Sequence, residues 1–432
     1  MSPPLHHEVV VTGMGIVSPL GLNAPQLLAS LHTNQSGIGL WESPLVSKKL
    51  PFGRIRHDFS AAFTKLELPY LDRVSQLAIL SAQQALADAG LEKFGDYGQR
   101  AGIFYGTVNG GITTEHEWVR QFHVEHKEVA KPFTIMAVMP NAAPAQLSIR
   151  HQIRGPVMTH SSACSSSGAA IGEALRAIRH GYVDVALVGG ADSAFDASFL
   201  SMWGGLRALA DVDPHDVGKS CRPFSADRTG LVISEGAVFF VVESRDHARQ
   251  RGAGAYCMLS GYGIGSDAHH IGSPDSAGQV ATLRSALADA ELGPEQIDYI
   301  NAHATGTRGG DPVEAAAIRD VFGDSASNVP VSSTKGIHGH LLGAASAIEL
   351  AVAILSITES FLPATAHLER VDPNCPLNHV AISAVMNHPV NHALSFSTGF
   401  GGTNVALIAS KESVLPEKRA TQQAMPQPHS ST

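Results

Sequence analysis

The amino-acid sequence predicts an α/β fold with two similar halves, on three observations. Strand-like runs, such as VVVTG from Val9 and VDVALVGG from Val183, alternate with stretches whose apolar residues recur at helical spacing. The heptapeptide ALADAGL at residues 85–91 recurs as ALADAEL at residues 286–292. The elements around the two copies also follow in the same order. Such alternation is typical of layered α/β domains, and a repeat that carries its neighbours with it indicates a duplicated unit.

Each copy of the repeat belongs to a series of four elements: a glycine-containing strand, the repeated helix, a second strand, and a turn of small residues that leads into a helix. The first half has VVVTGMGIVSPLG, ALADAGL, RAGIFYGT and SSACSSSGAAIGEAL, and the second has MLSGYGIGSDAHH, ALADAEL, IDYINAHATGT and SSTKGIHGHLLGAASAIEL. We therefore place the halves at residues 8–257 and 258–412. Residues 413–432 lose all periodicity and are rich in Pro, Gln and Ser, so we expect them to form a disordered tail.

Composition limits the classes of function. The 432 residues are 44% hydrophobic and 16% charged, which fits a compact enzyme rather than a disordered or repeat protein. The net charge of −9 with no basic run argues against a nucleic-acid partner. We expect no membrane partner, because no apolar run approaches membrane-spanning length. The four cysteines form no CxxC pair and no secretory leader precedes them, so the expected location is cytoplasmic.

The stretch HSSACSSSGAAIGEALRAIRHG places one cysteine among serines where a helix begins. Apolar residues at Ile171, Leu175 and Ile178 have helical spacing, and Gly181 is suited to a left-handed C-terminal cap. Cys164 then lies at or just before the first turn, where unpaired N–H groups and the helix dipole favour a thiolate nucleophile. The alternative is a small buried cysteine that fills a gap.

Three further residues become candidates through the repeat. Corresponding turns of two pseudo-symmetric halves lie near one another, so the turns after IDYIN and VSSTK are expected beside Cys164. The first turn supplies His303, and the second supplies Lys335 and His340.

Two other patterns are rejected. VTGMGIVS resembles a dinucleotide-binding turn, but Ser18 occupies the third glycine position and no acidic residue follows about twenty residues on. His338 and His340 form a His-x-His pair without a cysteine or carboxylate at ligand spacing. We therefore predict no metal site.

Five segments in order carry a family resemblance: ACSSS, RPFSADRTGLVISEG, NAHATGTRGGDPVE, SSTKGIHGHLLGAASAIE and STGFGGTN. With them the chain resembles the β-ketoacyl–acyl-carrier-protein synthases of the thiolase superfamily, in the elongating, condensing branch. The match runs from VVVTGMGIVSPLG to GFGGTNVALI, nearly all of the chain except the tail. The resemblance implies the thiolase fold, a duplicated five-layer αβαβα arrangement that is normally a homodimer.

The resemblance also implies a catalytic set. Cys164 is similar to the nucleophile that accepts the acyl group. His303 and His340 match two histidines that support decarboxylation of a malonyl group. Lys335 matches the lysine beside them, and Glu349 matches the carboxylate that steadies that lysine.

Three more residues match positions that contact the substrate. Phe400 matches the residue whose backbone N–H completes the oxyanion hole and whose ring gates the acyl pocket. Thr305 and Thr307 resemble the hydroxyls that hold the pantetheine arm. No cofactor is implied, because the substrates are carried on the phosphopantetheine of an acyl carrier protein.

The expected reaction is a decarboxylative Claisen condensation of malonyl carrier with the acyl group on Cys164, in type II fatty-acid, polyketide or aryl-polyene-like biosynthesis. The motifs ACSSS and ATGT leave the pathway open. The alternatives are a cysteine acyltransferase or hydrolase that uses Cys164 and His303 without decarboxylation, and a catalytically dead scaffold. Cys164 argues against a chain-length-factor role, because that sister protein lacks the cysteine.

The expected partners are an acyl carrier protein and either a second copy or a related ketosynthase-like chain. The family's docking surface includes basic residues in segments that here hold Lys65, Lys127, Lys131 and Arg207. Each is otherwise an ordinary solvated charge.

By resemblance, the acyl pocket is lined by residues 106–113 and the segment around Phe133. The alternative interpretation of both is dimer-interface packing.

Overall fold

The computed structural model describes residues 7–91, 93–194 and 196–423. Its strands in that part of the chain are β1 Val9–Val17, β2 Ile38–Ser43, β3 Val46–Gly53, β4 Ala101–Gly106, β5 Val157–His160, β6 Val185–Asp192, β7 Gly236–Ser244, β8 Cys257–Ser266, β9 Tyr299–Asn301, β10 Pro330–Ser332, β11 Phe361–Leu362, β12 Asn378–His379, β13 Val385–Met386, β14 His392–Thr398 and β15 Thr403–Ser410. Its α-helices there are α1 Ala24–Thr33, α2 Arg73–Ala89, α3 Ile112–Val124, α4 Thr134–Val138, α5 Ala142–His151, α6 Ser166–Arg179, α7 Ala197–Gly205, α8 Arg245–Gln250, α9 Ser276–Asp289, α10 Gly310–Phe322, α11 Lys335–His338 and α12 Ala345–Glu359.

The main sheet repeats one strand order in both halves. From the junction where β1 pairs with β8, the order is β1-β7-β6-β4-β5 in one direction and β8-β15-β14-β9-β10 in the other, with β12 beyond β10. The first two pairings on each side are antiparallel and the next two are parallel. The predicted duplication is confirmed. The second half begins at Cys257, one residue before the expected start at residue 258.

The repeated heptapeptide brings a helix unusually close to a strand. A Cβ atom on Gly13 would lie 2.2 Å from the Ala85 carbonyl oxygen, and one on Gly261 would lie 2.5 Å from the Ala286 carbonyl oxygen. Only glycine permits this approach. The glycines of VTGMGIVS therefore serve helix–strand packing, which explains why the pattern resembles a dinucleotide turn without the rest of its signature.

The aspartate of each heptapeptide also has the same task. Asp88 Oδ2 accepts a hydrogen bond of 2.9 Å from the Met14 backbone N–H, and Asp289 Oδ2 accepts one of 2.8 Å from the Tyr262 N–H. Each carboxylate thus ties the repeated helix to the first strand of its half.

Five layers follow from the contacts. α2 and α5 cover the outer face of the first half of the sheet, and α9 and α10 cover the outer face of the second half. α6 and α12 pack together between the inner faces of the two halves. The central core contains fully buried residues of both middle helices, including Ile171, Leu175, Ile348 and Leu355. This is the five-layer αβαβα arrangement that the resemblance implies.

The most apolar helix occupies that middle layer. Leu342–Glu359 is long and apolar enough to cross a membrane by length and composition, contrary to the expectation from sequence, but 94% of it is buried inside the molecule. This helix is apolar on all sides because strands of both halves of the main sheet pack against it.

The expectation of a disordered tail is wrong for residues 413–423. Lys418 Nζ donates a 2.8 Å hydrogen bond to the Thr12 carbonyl oxygen and pairs with Asp88 at 3.0 Å. Ala420 is fully buried, and the Gln423 amide donates to the Met14 carbonyl oxygen at 2.6 Å. The polar composition led to a wrong prediction, because the side chains of Lys418 and Gln423 donate hydrogen bonds to backbone carbonyl oxygens of the first half. Residues 424–432 lie outside the described part of the chain.

Candidate active site

Cys164 lies in a tight turn two residues before α6 begins, as the helical spacing predicts. Ala163 has a left-handed backbone with φ of 54°, which reverses the chain just before the cysteine. Ser166 Oγ donates to the Ala163 carbonyl oxygen at 2.6 Å and accepts from the Ser162 N–H at 2.9 Å. Ser165 Oγ donates to the Ser162 carbonyl oxygen at 2.8 Å. The serines around Cys164 therefore hold the turn that presents it.

The thiol of Cys164 contacts a histidine from the second half. His340 Nε2 lies 2.9 Å from Cys164 Sγ, and the backbone N–H of Phe400 is near enough to the same sulfur to lower the pKa of the thiol. Burial raises the pKa of Cys164 to about 12, against the opposing effects of Lys335 and the Phe400 N–H. The expected thiolate is therefore wrong for the resting site, because desolvation outweighs the helix start. The neutral thiol needs a proton acceptor, and His340 Nε2 is in place for that role.

His303 forms the other wall of the site. Its ring centroid lies 5.2 Å from that of His340, with the planes nearly perpendicular at 85°. Burial, and next the positive charge of Lys335, hold the pKa values of both histidines well below their usual range. Both imidazoles are therefore neutral at pH 7. The geometry favours His340 over His303 as the partner of the Cys164 thiol, since His340 Nε2 is the atom in hydrogen-bond contact with the sulfur.

Behind the histidines, Lys335 and Glu349 form a fully buried ion pair. Lys335 Nζ donates to the His303 carbonyl oxygen at 2.5 Å and lies 3.4 Å from His303 Nδ1. An ammonium has only donors, so Nδ1 acts as acceptor and the ring proton resides on Nε2. Ser397 Oγ donates to Glu349 Oε2 at 2.8 Å and satisfies its second oxygen. The ion pair thus fixes the tautomer and orientation of His303.

A carboxylate that sequence reasoning missed holds the His303 turn. Glu314 accepts hydrogen bonds from the backbone N–H groups of His303 at 2.6 Å and Ala304 at 2.7 Å. Burial raises the pKa of Glu314 to about 8. Asp311, one turn earlier on α10, accepts from the N–H groups of Gly306 and Thr307 at 3.2 Å each. Two acidic residues at (i, i+3) spacing directly after the histidine motif were the available signal.

The cavity above these residues has a volume of about 710 Å³. Its lining includes six of the expected site residues: Cys164, His303, His340, Thr305, Thr307 and Phe400. The Thr305 hydroxyl donates to Thr307 Oγ1 at 3.2 Å. Lys335 and Glu349 lie behind this lining, which agrees with supporting roles.

Phe400 sits at the mouth of the cavity in a glycine-rich loop. Its side chain is 43% exposed, and Gly401 and Gly402 have φ values of 87° and 84°. A left-handed pair of glycines after the aromatic ring permits backbone changes that other residues resist. The loop therefore places the Phe400 N–H beside Cys164 and the exposed Phe400 ring at the mouth of the cavity.

The site could also hold a cation by geometry alone, since ligand atoms of Cys164, His303 and His340 lie within 4.8 Å of one another. The positive charge of Lys335, 3.4 Å from His303 Nδ1, opposes a cation there. His338, the other half of the His-x-His pair, faces away and contacts Thr334 Oγ1 at 2.9 Å.

Of the four expected docking residues, only Arg207 is among the described residues that line the cavity. Lys127 instead pairs with Glu125 at 2.9 Å, and Lys65 and Lys131 are exposed away from the lining. The four do not form one cluster in this chain.

The two segments expected to line the acyl pocket differ in burial: residues 106–113 make buried contacts, whereas Phe133 is exposed. In residues 106–113, Thr107 Oγ1 donates to the buried Asp192 carboxylate at 2.9 Å, and Ile112 packs in a buried cluster with Leu342. Phe133 is 53% exposed and contacts the ring of Tyr70, with centroids 5.1 Å apart.

Two family models match the chain in succession. The β-ketoacyl synthase N-terminal domain matches residues 6–248, and the β-ketoacyl synthase C-terminal domain matches residues 256–369. The boundary between the matches falls where β8 begins the second half.

Curated relatives align over almost the whole chain. Nodulation protein E of Rhizobium leguminosarum bv. trifolii is 38% identical over 409 residues, covering 93% of this chain and 99% of that protein. The 3-oxoacyl-[acyl-carrier-protein] synthase 2 of Coxiella burnetii is 34% identical over 410 residues, covering 94% and 98%.

Solved structures of similar proteins also cover almost the whole chain. The ishigamide ketosynthase/chain length factor is 31% identical with a TM-score of 0.86, covering 94% of this chain and 100% of that one. The ketosynthase ApeO in complex with its chain length factor ApeC, from Xenorhabdus doucetiae, is 27% identical with a TM-score of 0.83, covering 95% and 100%. With the cysteine, two histidines and buried lysine assembled as above, the chain belongs to the β-ketoacyl synthase family and is a condensing enzyme of the thiolase fold.

Proposed function

We propose that the chain extends an acyl group held on Cys164 by decarboxylative condensation with a malonyl thioester, with His303 and His340 as the enolate-binding pair. The observation that carries the proposal is the contact of Cys164 Sγ with His340 Nε2 at 2.9 Å, beside a second neutral histidine held by Lys335. A cysteine hydrolase needs only one of these histidines.

The first step loads the enzyme. The thiol sulfur of Cys164 attacks the carbonyl carbon of an acyl thioester while His340 Nε2 accepts the thiol proton. The N–H groups of Cys164 and Phe400 are suited to the resulting oxyanion. The carbon–sulfur bond to the incoming pantetheine then breaks, and the proton passes from His340 to the departing thiolate.

The second step forms the carbon–carbon bond. Loss of CO₂ from a malonyl thioester leaves an enolate, whose oxygen takes hydrogen bonds from the Nε2–H groups of His303 and His340. His340 reaches this tautomer by proton exchange with solvent after the first pantetheine thiol has left, so that its single ring proton moves from Nδ1 to Nε2. The enolate carbon attacks the acyl carbonyl on Cys164, the carbon–sulfur bond breaks, and the released Cys164 thiolate takes up one proton from solvent. Neutral imidazoles are required, because each must offer its N–H without first losing a proton.

No cofactor enters this scheme, since hydrogen-bond donors alone stabilise the enolate. The arrangement of Thr305 and Thr307 on the cavity wall supports their role as contacts of the pantetheine arm. The location we infer is cytoplasmic, supported by four cysteines that are all buried and free.

The proposed partners are an acyl carrier protein and a second ketosynthase chain. One solved relative is described as a type II polyketide acyl-carrier protein in complex with its ketosynthase. In the described part of this chain, β5 is the edge strand of the main sheet, and Val157 and Met158 on it are exposed. An open edge with apolar side chains supports pairing with another chain.

The test is malonyl-dependent release of CO₂ by purified protein, with mass spectrometry of the tryptic peptides after incubation with an acyl carrier thioester. The proposal expects acyl mass on Cys164 and release of CO₂ from malonyl carrier. Acyl transfer without CO₂ release would favour the acyltransferase or hydrolase alternative. Acyl mass on Cys221, Cys257 or Cys375 with Cys164 bare would contradict it.

A further inference from the structure

An aromatic residue outside the catalytic set contacts the ring at the cavity mouth. The Trp203 ring centroid lies 5.7 Å from that of Phe400, with the planes inclined at 39°. This separation is within the range at which aromatic pairs attract each other. Trp203 is half-buried on α7, whereas the Phe400 ring is 43% exposed. The Phe400 ring therefore has an aromatic contact from another element of the fold.

The ring of Phe400 is coupled to catalysis through its own backbone. Phe400 and Cys164 line the same cavity, and the Phe400 N–H is near enough to Sγ to lower the pKa of the thiol, so the residue that carries the gating ring also carries the proposed oxyanion donor. Glycines follow at positions 401 and 402, both with positive φ, so the loop resists displacement weakly. A contact that fixes the ring thus also fixes the N–H.

The helix that carries Trp203 is anchored at its start. Asp196 caps α7 by accepting a 2.8 Å hydrogen bond from the Ser198 N–H, and it also contacts His116 Nδ1 of α3 at 2.7 Å. Phe199 is buried one turn before Trp203, and their ring centroids are 6.3 Å apart. Trp203 therefore extends from a capped helix of the first half toward the glycine-rich loop of the second.

The same platform touches the wall of the expected acyl pocket. Phe199 and Leu200 of α7 share a buried cluster with Ile112, and Trp203 packs against that cluster from its edge. An acyl chain that displaces this wall would also displace Trp203, and Trp203 contacts the Phe400 ring.

Resting on the proposed function, we propose that Trp203 is a positioning residue for acyl transfer. Its indole holds the Phe400 ring, and with it the Phe400 N–H, in the arrangement that accepts the first acyl group. Loading of Cys164 with an acyl chain separates the two rings. The roles proposed for the catalytic residues do not otherwise require an aromatic side chain at position 203.

The kinetic test compares Trp203→Ala and Trp203→Phe in acylation of Cys164 by a short acyl-pantetheine thioester. We expect Trp203→Ala to lower kcat for acylation about two- to ten-fold, the range that one aromatic contact supports, with little change in KM. Trp203→Phe keeps an aromatic face and should restore kcat to within about twofold. Met202→Ala, an exposed neighbour on the same helix, is the matched control and should match the wild-type enzyme.

A second readout does not depend on the Ala variant folding. Wild-type protein labelled with 5-fluorotryptophan has three tryptophans, Trp41, Trp118 and Trp203, and the fluorine signal absent from Trp203→Phe identifies the third. On acylation of Cys164 the Trp203 signal should shift, because the Phe400 ring leaves it, while the Trp118 signal stays in place.

The two proposals fail in different ways. An unchanged Trp203 signal on acylated enzyme, or equal kcat losses in the Phe and Ala variants, would overturn the role of Trp203 and leave the condensing mechanism intact. Wild-type enzyme that takes no acyl group on Cys164 would contradict the proposed function, and the role of Trp203 would fall with it.

Discussion

Cys164 Sγ and His340 Nε2 lie 2.9 Å apart although 176 residues separate them in the chain. One group comes from a turn of the first half and the other from the corresponding turn of the second. The contact makes the thiol and the enolate donors parts of one site, so replacements of the cysteine and of the histidines should affect different steps.

Cys164→Gln should abolish condensation and retain malonyl decarboxylation. The amide cannot accept an acyl group, but it occupies the space of an acylated cysteine and leaves His303 and His340 in place. Both activities are measured on one preparation, as ketoacyl product and as released CO₂. Loss of CO₂ release together with condensation, in a variant that melts like the wild type, would show that the thiol itself supports decarboxylation.

His303→Ala should lower decarboxylation by about a hundred- to a thousand-fold. Removal of one preorganised oxyanion donor typically costs about 2.7–4 kcal/mol in the transition state. His338→Asn is the matched control: it replaces a buried histidine nearby whose contact is with Thr334, and its decarboxylation rate should fall far less. Near wild-type CO₂ release by His303→Ala would remove His303 from the enolate site.

The acid limb of decarboxylation should move to higher pH when Lys335 is neutralised. Burial and then Lys335 hold the pKa values of His303 and His340 well below the usual value of an imidazole, so both rings stay neutral to a lower pH than a free imidazole does. Without the ammonium these pKa values rise, and the rings become charged at a higher pH. The rate then falls earlier on acidification.

The variant for this test is Lys335→Met combined with Glu349→Gln. Lys335→Met alone leaves Glu349 buried and unpaired, which typically costs about 3–5 kcal/mol of stability. The double variant removes both charges and keeps an acceptor for Ser397. A pH–rate profile from pH 5 to 8 with an unmoved acid limb would mean that Lys335 does not control the histidines.

Lys418→Met should destabilise the fold by about 1–3 kcal/mol without changing activity per folded molecule. Lys418 Nζ is the donor to the Thr12 carbonyl oxygen and to Asp88, and the variant leaves both acceptors unsatisfied. Arg419→Met is the matched control, because its pair with Glu417 is exposed and should contribute less than about 1 kcal/mol. Chemical unfolding measures both. Equal effects would mean that residues 413–423 do not anchor the first half.

Sequence reasoning brought Cys164, His303 and His340 to one place, as the structure does, because the positions of their turns depend on local patterns. Helical spacing locates Cys164 before α6, and the repeated heptapeptide identifies the turns that carry His303 and His340. The direction of the Cys164 pKa was missed, since it depends on burial that three distant segments create together. A one-dimensional pattern does not reveal that desolvation.

Two further sets of contacts could not be predicted from the sequence for the same reason. Lys418 and Gln423 look solvated in the sequence, yet each finds a backbone carbonyl of β1 as its acceptor. The contact of Trp203 with Phe400 joins segments from opposite halves, and neither segment has a composition that signals the other.

Docking of an acidic carrier protein should depend on Arg207. The chain carries a net charge of −9, so long-range attraction needs a local positive patch at the cavity mouth. Arg207 lines that mouth, whereas the nearby Lys48 is already paired with Asp211 at 3.1 Å. Arg207→Glu should therefore raise KM for carrier-bound substrate up to about tenfold at low salt, mainly through slower association.

The controls separate docking from damage to the pocket. Activity of Arg207→Glu on a short pantetheine thioester, which has no acidic carrier, should equal that of the wild type. Added salt should raise the wild-type KM for carrier-bound substrate toward that of the variant, because it screens the attraction. Lys65→Glu reverses an exposed charge away from the lining and should have the smaller effect. Equal losses on carrier and pantetheine substrates would show that Arg207 shapes the cavity and that the carrier docks elsewhere.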